Sequence, residues 1–472
     1  MGWRYNLSTV PKPMRILLLT PEHPAQSMAG PGSPVGRDVE ALASAYQRMG
    51  HEVRIAAPLY KELPDPNWKL QGNVKASFLG VEEAAIYAEH PRWTHVRLVV
   101  HPLLVREHPY LDAGGWDHPD NAMRFAIFCA SALVDCTATK WKPDLIHAHE
   151  WQSGLAVLYA SEHFKAHFTD TKLLFSFQDA AFQGLCDLSW AEQIGIGPHW
   201  IQPEGLEFWG RLNLLKAGLV CSHKATLPSL QYLHELLEDS HGYGLEGLFR
   251  SLGQKVSPVN PGVDSSIWKL PDGLVQDPEA LRSWKIAQRM ELVGGDEPLL
   301  VFASSFRPGK GIDHVLTLMP DLLKMGVRVC VVGGDGTEEH RHLELVAANH
   351  SDRIRLFKRG DENLLRVLSA ADLLLLPVAH QPGGVLFARA MTLGTPTLAH
   401  RVGAAADKIV SWPKSIADGF LFDDLAPDTL LRNLRKALQI RANPTEWSAM
   451  CARAAGRDFS WAKISKSYLA LL

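Results

Sequence analysis

The stretch 299–313, LLVFASSFRPGKGID, joins an apolar run to a glycine-flanked lysine and then to a helical pattern. Ile312, Val315, Leu316, Met319, Leu322 and Leu323 recur at the spacing of one helix face, with Asp313, His314 and Lys324 off it, so a strand over 299–304 is followed by a helix over 312–325. The stretch 372–385, DLLLLPVAHQPGGV, repeats the plan, with Gln381, Pro382, Gly383, Gly384 and Val385 leading into a second helix. A strand that turns directly into a helix leaves free backbone N–H groups at the helix start. Two such starts and the ammonium of Lys310 make an anion clamp that suits a diphosphate better than a lone carboxylate. Lys310 is not in a nucleotide-binding P-loop, which needs G-x-x-x-x-G-K-[ST]. The chemistry indicated is that of a nucleotide-sugar enzyme.

Working outward, short β-type runs alternate with helical patterns along most of the chain, which argues for parallel sheets covered by helices. Strands are expected at 15–20, 53–58, 95–100, 144–147, 173–177 and 219–222, with helices over 38–49, 121–139 and 153–163. In the second half, strands at 299–304, 327–332, 354–356, 373–377 and 397–399 alternate with helices again. The fold class is therefore α/β, with two Rossmann-like doubly wound domains facing a central cleft. The proline-rich stretch 257–262 marks the boundary, giving domains over 1–260 and 261–455 and a C-terminal helix over 456–472 that returns to the first domain, anchored by Trp461 and Tyr468. Ligands of such sheets bind beyond the carboxyl ends of the strands, so function is sought on those loops.

The chain has 472 residues, enough for two or three domains, and an ordinary balance of 46% hydrophobic to 21% charged residues. Its 48 basic and 51 acidic residues leave a formal charge of −3 without a long basic or acidic block, which argues against nucleic acid or a membrane as partner. Six scattered cysteines without a C-x-x-C pair fit a reduced, cytoplasmic protein. The apolar core of the first strand is too short for a signal segment or membrane span.

Several loops after strands carry candidate ligand contacts. In 28–36 the glycines, Gly32 among them, allow close approach of a phosphate, although Pro31 and Pro34 remove two N–H donors and a stiffened turn is the plainer reading. At the end of the 144–147 strand, His147, His149 and Trp151 alternate to one side, while Glu150 is assigned to the cleft. One of the two histidines is expected in the core, and no local ligand set completes a metal site. Gln178 is placed to bond a sugar hydroxyl, with Asp179 as its neighbour. Arg307 is positioned to assist Lys310, and Gly334 in the run 333–336 is a weaker donor-side candidate. The amide of Gln381 can bond sugar hydroxyls but carries no charge toward an oxocarbenium ion.

Taken together the runs PEHPA, GHEVRIAAPLY, WDHPDNAMRFAIFCASAL, WKPDLIHAHEWQSGLA, AAFQGLCD, LLKAGLVCSHKAT, GYGLEGLFR, NPGVDSSIW, the GKGID segment and FSWAKISKSYLALL resemble, in order, counterparts in the bacterial glycogen synthases and plant starch synthases. These are retaining glycosyltransferases of the GT-B type, and the likeness spans nearly the whole chain. It implies transfer of glucose from a nucleotide sugar, ADP-glucose, to the non-reducing end of an α-1,4-glucan such as glycogen, with no cofactor and no metal. On the resemblance, Gln178, Lys310 and Gln381 fall at catalytic positions. Arg307, Lys310, Gly32, Gly383, Gly384, Val385 and Gly334 are assigned to the donor, and Glu150, His149 and Gln178 to the sugar or acceptor.

The chain departs from the family at these same positions. The family's Lys-Thr-Gly-Gly-Leu loop is Pro31-Gly32-Ser33-Pro34-Val35 here, and its His-Asp-Trp is His149-Glu150-Trp151. Its next histidine is Gln178, an arginine is Ser305, and its Glu-Pro-x-Gly-Leu is Gln381-Pro382-Gly383-Gly384-Val385. Two other outcomes follow from such a pattern: a synthase homologue that binds glucan, nucleotide or a partner without turnover, and a transferase with a changed donor or acceptor.

Overall fold

The computed structural model describes residues 12–26, 34–63, 65–80, 83–306, 309–334 and 337–472. These residues form two compact units, one built from the chain up to Pro228 with Leu233–Val259 and Ile464–Leu472, the other from Ser229–Tyr232 and Asn260–Lys463.

The first unit contains strands β1 (Arg15–Leu19), β2 (Glu52–Pro58), β3 (Lys69–Val74), β4 (Ala84–Ala88), β5 (Val96–Val100), β6 (Leu145–His149), β7 (Lys172–Ser176), β8 (Leu185–Asp187), β9 (Glu207–Phe208), β10 (Arg211–Asn213), β11 (Lys224–Leu227) and β12 (Val256–Pro258). Among the described residues the main sheet runs β12-β11-β7-β6-β1-β2-β5-β4-β3. The central strand β1 pairs in parallel with β2 on one side and β6 on the other, with Leu18 opposite both Ile55 and His147. The chain winds outward from β1 through β2 to β5, then restarts at β6 and winds the other way, so the order reverses between β1 and β6. Both faces of the central strands are covered, which is why ILLL in β1 and LIHAH in β6 are buried at successive positions rather than alternately.

Two parts of this unit differ from the expectations. The run 219–222, expected as a strand, is the end of the helix Leu214–Cys221 with its extended cap Ser222, and the strand is β11 just after it. Asn213 starts that helix by accepting the N–H of Lys216 at 3.1 Å, and residues Leu214 to Leu219 are all buried. A helix enclosed on all sides shows no polar face, so period alone does not separate it from a buried strand. Within the proline-rich stretch 257–262, Ser257 and Pro258 form part of edge strand β12, a position proline tolerates. The antiparallel pair β3–β4 and the small sheet β8-β10-β9 are additions to the expected pattern.

The second unit is built on β13 (Leu299–Ser304), β14 (Arg328–Gly333), β15 (Ile354–Phe357), β16 (Leu373–Leu376), β17 (Thr397–His400) and β18 (Phe420–Phe422), ordered β15-β14-β13-β16-β17-β18 and parallel throughout. Here the reversal lies between β13 and β16. Helix Ile312–Lys324 buries Ile312, Val315, Leu318, Met319 and Leu322, with Leu316 and Leu323 packed at the margin. No helix among the described residues is long and apolar enough to cross a membrane.

Candidate active site

Reversal points of doubly wound sheets leave a crevice at the strand carboxyl ends, because the adjacent crossovers run to opposite faces. In the first unit the loops there are Thr20 to His23 after β1 and Glu150 onward after β6. Glu150 has φ +66°, a left-handed conformation uncommon for a non-glycine residue. Its N–H donates to the Ser176 carbonyl at 2.8 Å, and its carboxylate accepts the Gln178 N–H at 3.1 Å. The strand ends therefore hold the acid from both sides. Burial pushes its pKa up to about 8, with Asp179 and Glu22 raising it further and the Gln178 N–H opposing them.

The two histidines of β6 are both buried, with ring centroids 4.0 Å apart. His147 shares a hydrogen bond with the Ser176 hydroxyl at 2.7 Å, Ser176 in turn meets Thr226 at 2.5 Å, and the Tyr468 ring packs 5.0 Å from His147. His147 is thus a core residue held through one ring nitrogen, its Nδ1 being buried without a hydrogen-bond partner. His149 is 6% exposed, its Nε2 has no hydrogen-bond partner, and burial lowers its pKa to about 3, so the ring is neutral. Trp151 packs edge-on against Phe125 and lies so close to Gly184 that a Cβ there would sit 2.2 Å from the indole.

In the second unit the two loops at the reversal point are bonded together: the Ala379 N–H donates to the Gly309 carbonyl at 3.2 Å. Gly309 and Gly311, on either side of Lys310, have φ of +74° and +88°, and a Cβ on Gly311 would lie 2.6 Å from the Pro377 carbonyl oxygen. Glycine is needed at 311 because the turn is left-handed and abuts the end of the next strand. Lys310 stands just before helix Ile312–Lys324, half-buried, and among the described residues its ammonium has no hydrogen-bond or ion-pair partner. Gln381 is held by its backbone, whose carbonyl accepts the Ala404 N–H at 3.2 Å, and its side-chain oxygen is buried without a partner. Gly383 and Gly384 precede helix Val385–Thr392 rather than forming its first turn; a side chain on Gly384 would strike the Phe387 ring.

Gly334 follows β14, one strand away from the reversal, where a Cβ would lie 2.0 Å from the His340 ring. Its small size is accounted for by that packing. Gly32 and Arg307 lie outside the described residues. No group of three or more His, Cys, Asp or Glu able to hold a metal ion occurs among the described residues.

One acid escaped the reading of individual loops. Glu22, directly after β1, accepts the Tyr110 hydroxyl at 2.5 Å, and burial raises its pKa. The available signal was its place after the first strand; the partner comes from a residue 88 positions away.

Two doubly wound units, each with polar loops at its reversal point and, in the second, a lysine at a helix start, define a GT-B glycosyltransferase fold. Sequence comparison agrees: the starch synthase catalytic domain family matches residues 15–251, and glycosyl transferases group 1 matches 286–454. The chain belongs to the glycogen and starch synthase family. A glycogen synthase of Aromatoleum aromaticum is 27% identical across 97% of this chain and 96% of its own, and glycogen synthase 2 of Nitrosococcus oceani is 30% identical across 77% of each. Among solved structures, the catalytic domain of starch synthase IV from Arabidopsis thaliana, bound to ADP and acarbose, superposes with a TM-score of 0.82 at 21% identity, covering 98% of this chain and 99% of that one. Sucrose-phosphate synthase from Thermosynechococcus elongatus gives 0.61 at 18% identity, over 96% and 97%.

Proposed function

We propose that the protein is a retaining glucosyltransferase that moves glucose from a nucleotide sugar, ADP-glucose, to the non-reducing end of an α-1,4-glucan such as glycogen. The observation that carries this reading is Lys310, whose ammonium has no partner among the described residues and whose backbone is set between two left-handed glycines at a helix start. Together with the N–H groups at the start of Val385–Thr392, it takes up the charge of the departing nucleoside diphosphate. The bond from C1 to the phosphate oxygen breaks, the acceptor O4 bonds C1 on the same face, and the hydroxyl proton passes to the leaving phosphate. No protein nucleophile is used. Glu150, protonated at neutral pH because its pKa is about 8, donates to a sugar hydroxyl, while Gln178 and Gln381 orient the sugar through their amides. The six cysteines are all unpaired, which supports a reducing, cytoplasmic setting.

Gln381 also favours a second reading, in which donor and glucan are held without turnover, because an amide stands where the family places a carboxylate. Radiolabelled ADP-glucose and UDP-glucose, each incubated with glycogen, separate the two. Label entering the glucan from ADP-glucose, and lost in Lys310→Ala, supports the transferase. ADP binding that Lys310→Ala weakens, with no label incorporated from either donor, would establish the binding protein instead.

A further inference from the structure

The second unit holds a basic cavity of about 180 Å³ at the other end of its sheet. Helix Pro278–Val293 sets Arg282, Lys285 and Arg289 on one face, and Arg441, at the end of helix Pro427–Arg441, joins them. Asp372, on the cavity wall, accepts the Leu299 N–H at 2.9 Å, so it lies where β13 and β16 begin. Lys310 and Gln381 follow the far ends of those strands. The six residues of β13 span about 20 Å and the four of β16 about 13 Å, which separates the cavity from the donor loops.

Four cations line this space against two carboxylates, Asp296 and Asp372. Asp372 is shared by Arg289 at 2.6 Å and Arg441 at 2.9 Å, and Asp296 meets Arg289 at 2.8 Å. Lys285, 4% exposed, touches no carboxylate; its ammonium donates to the Thr395 hydroxyl at 2.7 Å and to the carbonyls of Leu368, Ser369 and Leu393. Arg289 is 2% exposed, and its Nε has no hydrogen-bond partner. Arg282, at the mouth with a side chain 40% exposed, reaches Glu279 only at 3.4 Å, and that carboxylate also meets the Ser448 hydroxyl at 3.4 Å. An ion-pair cluster serving stability alone would balance its charge, since an unmatched buried cation is costly. With Glu279 counted, four cations meet three carboxylates, and the one positive charge left over borders a space of about 180 Å³, enough for a tetrahedral oxyanion.

We infer that this cavity binds a phosphate group, free or as a small phosphomonoester, through the guanidinium groups of Arg289, Arg441 and Arg282, with the buried charge of Lys285 behind them. Arginine forks match phosphate geometry, and charge-assisted bonds of this kind are the strong ones.

The test is calorimetric titration of the full chain at fixed ionic strength with inorganic phosphate and, separately, glycerol 3-phosphate. Both arms use a Lys310→Ala background, so that phosphate at the donor loops does not contribute. Arg282→Glu is the informative variant because the residue sits at the mouth and its replacement leaves the buried ion pairs intact. The expected result is one saturable site in Lys310→Ala whose affinity falls about tenfold or more when Arg282→Glu is added. Equal affinity for the two ligands assigns the site to the phosphate group alone, and tighter binding of glycerol 3-phosphate assigns it to a phosphomonoester. No saturable binding of either ligand, or an affinity untouched by Arg282→Glu, overturns the inference.

Discussion

The backbone N–H of Gln178 meets the Glu150 carboxylate at 3.1 Å, tying together the ends of neighbouring strands β6 and β7. Glu150 accepts this bond from a left-handed backbone, with φ +66°. Local strain, burial and nearby acids all bear on one carboxyl group, and that combination is typical of a group selected for chemistry rather than for packing.

The Glu150 pKa gives a pH dependence whose sign is fixed. Its folded value, about 8, lies above the ordinary 4.5, so the stabilisation is present below about pH 4.5 and is lost as pH rises toward about 8. Glu150→Gln removes this contribution to the slope. Urea denaturation at pH 5 and pH 9 should show the variant gaining stability relative to the parent at the higher pH. Parallel losses in both proteins would mean that Glu150 ionises normally.

Tyr468 is 3% exposed, packs against His147, and shares hydrogen bonds with Ser176 and Thr226. Removing the ring leaves a cavity under β6 and β7, so Tyr468→Ala should cost about 3–5 kcal/mol. Tyr468→Phe keeps the ring and loses the hydroxyl, costing about 1–2 kcal/mol. Denaturation midpoints that rank the two variants in the opposite order would contradict this account of the C-terminal helix.

The same contact shows what the sequence makes legible. Strands such as LLVFAS and helices such as Ile312–Lys324 read well because each carries its period locally. The helix Leu214–Cys221 reads poorly because burial on every side erases that period. Strand β3 is largely exposed and shifts register between Leu70 and Gly72, so it lacks the apolar signal that marks a core strand. At the site, Lys310 and Gln381 stand out because glycines and a strand end adjoin them in sequence. Glu22 with Tyr110, and Asp372 with Arg441, depend on partners brought together only by the fold.

Gln381 offers a gain-of-function test. Its backbone is fixed by the Ala404 N–H, and a Cβ on Gly403 would lie 1.9 Å from its carbonyl oxygen, so the side chain springs from a well-held point. Gln381→Glu changes charge at nearly constant volume. If the missing carboxylate limits transition-state stabilisation, label transfer from ADP-glucose to glycogen should rise by about tenfold or more, with ADP affinity little changed. Unchanged transfer alongside unchanged affinity would show that the amide is not what restrains turnover.

Gly309 and Gly311 separate backbone strain from steric fit on the two sides of Lys310. Both are left-handed, so alanine at either position costs about 1–2 kcal/mol of local conformational energy. Only at 311 does a Cβ meet a fixed neighbour, 2.6 Å from the Pro377 carbonyl oxygen; at 309 nothing lies within 4 Å. Gly311→Ala must push the loop away from the end of β16 and carry Lys310 with it, whereas Gly309→Ala leaves the loop in place. Fluorescence titration with ADP should therefore show about a tenfold or greater loss of affinity for Gly311→Ala, and a change within about threefold for Gly309→Ala. Equal losses in the two variants would assign the effect to strain alone and remove the contact with Pro377 from the explanation of how Lys310 is held.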